Sequence, residues 1–115
     1  MVDPRILSTV RRYLRGVDEQ GIPVRFGVLY GSWATGRVHE WSDIDLIVVS
    51  PRFDGDVRRT DIDLLWRLAA AIDSRIEPVP CGERQWAEDD ASAIIEIARR
   101  EGERVLPGEA AEART

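Results

Sequence analysis

Apolar positions along the chain switch between helical and extended periods. Ile6, Leu7, Val10, Leu14 and Val17 recur at helical spacing behind Asp3-Pro4. That pair is a capping residue followed by proline at the first helical position, where an absent amide costs nothing. The spacing predicts an amphipathic helix from Asp3 to Glu19, stopped at Gly21, with Arg11, Arg12 and Arg15 on its other faces. From Val24 to Tyr30, the set Val24, Phe26, Val28 and Tyr30 alternates with Arg25, Gly27 and Leu29, which predicts a strand. Ser32–Arg37 reads as a short helix or turn. Ile44 and Leu46–Val49 form a solid apolar run, the pattern of a central strand covered on both faces.

After a turn-rich loop at Pro51–Arg59, Thr60 or Asp61 is the expected cap of a second long helix. Its apolar face holds Ile62, Leu65, Leu68, Ala69 and Ile72, with Trp66 close by. Arg75–Val79 reads as a short third strand with Ile76 and Val79 packing inward. Pro78 and Pro80 place it at an edge. One helical turn at Glu83–Glu88 and a helix at Ser92–Arg100, apolar at Ile94, Ile95 and Ile97, complete the helices. Gly102 ends the last of them, and Val105–Leu106 adds a brief strand. The expected fold class is α/β (α+β), a small mixed sheet flanked by helices lying mainly on one face. Residues 1–106 make one domain, and the polar stretch 107–115 is expected to be a disordered tail.

Composition narrows the function classes. The chain has 115 residues, 16 basic against 21 acidic, for a net charge of −5. That balance argues against broad non-specific binding to nucleic acid. Every basic residue other than His39 is arginine, so a cationic side chain meeting a phosphate must be arginine. The single cysteine, Cys81, excludes an internal disulfide and reads as a small loop residue beside Gly82. No apolar run is long enough to span a bilayer, and the N-terminal stretch lacks a signal peptide's unbroken apolar core. A cytoplasmic location is the expectation.

The candidate chemistry lies in Gly31–Ser50. Asp43 and Asp45 stand two apart at the entrance to an apolar strand, so their side chains share a face. Two like charges so placed repel, and a divalent cation is the simplest compensating partner. A hydrogen-bonded Ser-Asp-x-Asp turn is the alternative. Upstream, Gly31-Ser32 opens a turn whose amides suit an anion. Glu77, the one acidic residue in the third strand, is either an exposed edge charge or a third carboxylate facing the pair. His39, Trp33 and Trp41 flank the motif. Either tryptophan has the ring to stack on a base, and at least one is expected to be core packing or a partner contact.

Gly31-Ser32, Ala34 and Gly36, then Ser42-Asp43-Ile44-Asp45-Leu46, resemble the signature of the minimal nucleotidyltransferases of the DNA polymerase beta superfamily. The resemblance implies a short mixed sheet with the site at its exposed end. It also implies transfer of a nucleoside monophosphate, AMP from ATP, to an acceptor hydroxyl. Carried over by position, Gly31 and Ser32 hold the triphosphate. Asp43 and Asp45, with Glu77 as third acid, hold two magnesium ions and activate the acceptor. The family often has arginine where Thr35 stands, and Arg37, beyond Gly36, is the candidate substitute in binding the nucleotide. Its third acid is usually aspartate. Small relatives are commonly antitoxins, which implies a small helical partner protein of the higher-eukaryote and prokaryote nucleotide-binding (HEPN) class, with homo-oligomers possible. The alternative is a module of the same fold that neutralises such a partner by contact, with little or no transfer. A third is an unrelated domain whose acidic pair is incidental.

Overall fold

In a computed structural model, residues 2–35 and 42–108 are described. Helix α1 (Pro4–Glu19) begins where Asp3 accepts a hydrogen bond from the Arg5 amide at 2.8 Å, with Pro4 in the first turn. Strand β1 (Phe26–Tyr30) leads into the four-residue helix α2 (Ser32–Thr35). Strand β2 (Ile44–Ser50) follows, then a 3₁₀ turn at Pro51–Phe53 and helix α3 (Arg59–Ile72). Strand β3 (Ile76–Gly82), helices α4 (Glu83–Glu88) and α5 (Ala93–Glu101) and strand β4 (Glu103–Val105) complete the described elements.

The four strands lie in the order β3-β2-β1-β4. β1 pairs antiparallel with β2 and β4, and β2 pairs parallel with β3. This mixed sheet flanked by helices is the expected fold class. Its faces are shared out differently, however. The larger core joins Leu14 and Val17 of α1 and Leu65 of α3 to Leu29, Leu46, Val48 and Ile76 of the sheet. The smaller one joins Val28, Ile47, Val49 and Cys81 to Ile95 and Ala98 of α5, with Phe26, Tyr30, Val79 and Trp86 at its margin. Helices therefore cover both faces, α1 and α3 on one and the shorter α4 and α5 on the other. Gly27 is the close-packing point of the first face, since a Cβ there would press on Leu14.

Several local expectations change with this layering. Ile76 faces the larger core while Val79, of opposite parity, faces the smaller, so the two do not pack together. Cys81 is a buried strand residue, not a loop residue. On α5 only Ile95 and Ala98 are buried, leaving Ile94 and Ile97 exposed. Trp66 is likewise exposed on α3. The final strand ends at Val105, and Leu106 is open to solvent. Of the expected tail, Pro107 and Gly108 are docked, the Gly108 amide donating to the Arg11 carbonyl at 3.1 Å; residues 109–115 lie outside the described set.

Asp61 does not cap α3. The helix starts from Arg58, and Asp61 sits buried in the first turn. Its carboxylate is engaged by Arg52, whose Nε and Nη2 donate at 2.7 and 3.1 Å. That fork ties the turn after β2 to the start of α3. A forked guanidinium–carboxylate pair is well oriented, but Arg52 is partly exposed, so the link is weaker than a fully buried pair. Asp61→Ala is expected to destabilise the fold by about 2 kcal/mol in urea unfolding, between the surface and buried limits. An unchanged midpoint would show that the fork is dispensable.

Candidate active site

Register builds the site. Tyr30 of β1 is opposite Asp45 of β2, and Asp45 is opposite Glu77 of β3. Directly paired residues project to the same face, so the three form a row across three strands. Beneath them on that face lie Val28, Ile47 and Val79, and then Phe26, Val49 and Cys81. The acidic row is thus the last row of an otherwise apolar surface. Asp43, two residues before Asp45, extends it past the sheet end and is exposed. The parallel pairing of β2 with β3 brings Glu77 beside the aspartates, though many residues intervene.

Gly31 closes the row from the β1 side. Its φ of +74° is a left-handed conformation suited to glycine, and an added Cβ would collide with the Asp45 carboxylate. The turn and the acid therefore touch. Its carbonyl accepts from the Ala34 amide at 3.1 Å, starting α2. Trp33 is buried, and its Nε1 donates to the Ser42 carbonyl at 3.2 Å. That bond fixes α2 against the entrance to β2. Arg75 lies over the same indole, 5.6 Å from the ring centroid, while its Nε and Nη2 engage Asp73 at 3.0 and 2.7 Å. The Arg75 carbonyl in turn accepts from the Ile44 amide at 2.7 Å.

Of the residues expected from sequence, Gly31, Asp43, Asp45 and Glu77 come together at one end of the sheet. Ser32 begins α2 beside them. Arg37, His39 and Trp41 lie outside the described residues. Trp33 is a packing residue, which answers the question its position raised. The sequence reading missed Arg75, for which there was no local signal. It also missed Tyr30 as a site neighbour, although its parity in the β1 alternation pointed to the face of the acids.

Electrostatics reflect the crowding. The Asp45 carboxyl is raised above its ordinary range, first by burial and then by the charge of Asp43. Glu77 is raised by burial, by Asp43 and Asp45, and by a hydrogen bond it shares with Asp43. The Tyr30 phenol is raised by burial, then by Asp45 and Glu77. As a donor set, three carboxylates match a hard divalent cation such as magnesium. Among the described residues, no group of three or more acidic, histidine or cysteine side chains is gathered closely enough to hold a metal as it stands. Three carboxylates brought to one end of the sheet are a donor set that fits the group.

A short mixed sheet with acids at the ends of neighbouring strands, next to a glycine turn, defines the class of nucleotidyl-transfer folds. Residues 10–100 match the model of the nucleotidyltransferase domain family, and the chain belongs to that family. Similar solved structures include a toxin–antitoxin crystallised with AMP-PNP, at 21% identity and a TM-score of 0.58, covering 89% of this chain and 77% of that one. Another is the MntA–HpeT toxin–antitoxin with two Asp-to-Glu replacements, at 19% identity and a TM-score of 0.56, with the same coverage. A further MntA–HpeT variant gives 21% and 0.52, over 84% of this chain and 72% of that one. Among curated proteins none matches the sequence. Among the described residues no helix is long and apolar enough to cross a membrane.

The raised Asp45 carboxyl has a signed consequence for stability without divalent cations. The folded state holds its proton to higher pH than the unfolded state does, so this term favours folding at low pH. It is lost as pH rises from the unfolded value of about 4 through the folded one. Asp45→Asn removes the term. In chelator, its melting temperature relative to wild type should rise across that window and stand above wild type at neutral pH. Parallel pH profiles for the two proteins would show that Asp45 carries no such penalty. Gly31→Ala is expected to cost about 2 kcal/mol, from backbone strain and displacement of Asp45, measurable in the same scans.

Proposed function

We propose that this domain transfers AMP from ATP to a hydroxyl on a small helical partner protein, as the antitoxin of a toxin–antitoxin pair. The observation that carries the reading is the contact of Gly31 with Asp45, in register with Glu77 and two residues from Asp43. Membership of the nucleotidyltransferase family supports the reaction class. The toxin–antitoxin context of the similar structures, one with an ATP analogue, supports the partner and the nucleotide.

Two magnesium ions held by Asp43, Asp45 and Glu77 would neutralise phosphate charge and align the attacking and leaving oxygens. The chain's own contribution is positioning. Gly31 and Ser32 present backbone amides to the triphosphate at close approach, with Arg37 as the cationic partner of the phosphates. Glu77, at the β3 end of the acidic row, is placed to take the acceptor hydroxyl's proton. The acceptor oxygen bonds to the α-phosphorus, the bond to the bridging oxygen of the β-phosphate breaks, and pyrophosphate leaves. Placement and charge stabilisation supply most of the acceleration in such transfers.

A second reading is favoured by a specific observation. Thr35 stands where the family usually has arginine, and the third acid is Glu77 where aspartate is usual. A domain of this kind can neutralise a partner by binding alone. Labelled ATP and magnesium, with a small helical protein from a neighbouring gene as the candidate acceptor wherever one is encoded, separate the two readings. Labelling of the partner is expected, and the double variant Asp43→Asn, Asp45→Asn should lower its rate by at least about 1000-fold, the size of several kcal/mol of lost charge stabilisation. Undiminished labelling by that variant overturns the metal-ligand assignment. Full neutralisation by it without labelling establishes the contact reading.

A further inference from the structure

The row that holds the acids also holds a phenol, and nothing in the family signature accounts for it. The chain has two tyrosines with different environments. Tyr13 is fully buried, and its hydroxyl donates to the Leu65 carbonyl at 2.8 Å. Tyr30 is half-buried, its ring packed at the margin of the smaller core. Among the described residues its hydroxyl has no hydrogen-bond partner. A tyrosine ring set in an apolar bed with an unused hydroxyl is an amphipathic contact surface.

The position narrows what that hydroxyl meets. Tyr30 immediately precedes Gly31, the glycine whose backbone touches Asp45. Along the row it stands at the β1 end, with Asp45 in the middle and Glu77 at the β3 end. Glu77, the group suited to receive an acceptor's proton, is thus two strand spacings away, roughly 9.5 Å. A ligand lying on the glycine turn comes first to Tyr30. A phenol keeps its proton at neutral pH, so the hydroxyl is available as a donor.

We propose that Tyr30 is a nucleotide-binding residue whose hydroxyl donates a hydrogen bond to a phosphate oxygen of the triphosphate at the β1 end of the acidic row. The inference rests on the nucleotidyl-transfer reading and adds to it a contact made by a side chain. It also assigns the two ends of the row to different groups, nucleotide at Tyr30 and acceptor at Glu77.

The test compares wild type with Tyr30→Phe, which keeps the ring and removes the donor. Binding of the non-hydrolysable analogue AMP-PNP with magnesium, and separately of adenosine, is measured by calorimetry. Apo melting temperature is recorded alongside as a check on folding. Expected for Tyr30→Phe is an unchanged melting temperature, about tenfold weaker binding of AMP-PNP, as for loss of a hydrogen bond to a charged group, and unchanged adenosine binding. Equal AMP-PNP affinity in the two proteins overturns the role of Tyr30 while leaving the transfer reading intact. An equal loss for adenosine and AMP-PNP overturns the phosphate contact. Failure of wild type itself to bind AMP-PNP at saturating magnesium overturns both.

Discussion

Repulsion among carboxylates is the constraint around which this small domain is arranged. Asp45 and Glu77 would separate if their backbones allowed it, and the strands that carry them do not, with Asp43 directly before the first of these strands. Asp45 and Glu77 are locked side by side by the parallel ladder between β2 and β3, which runs on from them to Ser50 and Gly82. The apolar rows below hold that ladder, because a slip of one residue would turn every buried side chain of a strand to the opposite face. Burial of Ile47 and Val49 on one side, and of Leu46 and Val48 on the other, therefore fixes a charged arrangement at the end of the same strand.

Much of this was legible in the sequence because it depends on local period. The Asp-Pro start of α1, the alternation of β1 and the continuous apolar run of β2 each follow from nearest-neighbour chemistry. The acidic pair and the glycine before it could be read the same way. What escaped was set by partners distant in the chain. Asp61 has the sequence signature of a helix cap, but its environment contains Arg52. Ile94 and Ile97 share an apolar segment with Ile95, yet one short helix presents only a narrow stripe to the sheet. Glu77 was readable as a candidate, while its alignment with Asp45 depends on a parallel crossover whose register no local pattern specifies.

Trp33 shows why a motif can mislead about its own members. An indole between a glycine turn and an acidic pair has the size and polarity to stack on a base. Here its ring is buried and its N–H is committed to the Ser42 carbonyl, with the Arg75 guanidinium above. It braces two segments that must stay apart by a fixed distance, the turn and the strand entrance. Conformational freedom at this junction would be costly for transfer chemistry, where placement supplies most of the rate. The bracing lies on the far side of the turn from the row of Tyr30, Asp45 and Glu77.

The edge position of β3 gives the three carboxylates unequal tenure. Asp45 belongs to a strand hydrogen-bonded on both sides, whereas Glu77 belongs to one paired, among the described strands, on a single side and carrying Pro78 and Pro80, which have no amide to donate. Edge strands open at lower free energy than central ones, since fewer ladder bonds and less buried surface are lost. A fluctuation that peels β3 away leaves the glycine turn, Asp43 and Asp45 in place and removes only the third acid. The domain thereby contains a graded architecture, in which the glycine turn and the two aspartates are the more durable part and Glu77, the group proposed to serve the acceptor, is the more yielding. A protein surface docking along that edge would reinforce the ladder and steady Glu77 in the same event, so that recognition of an acceptor and completion of the site become one equilibrium.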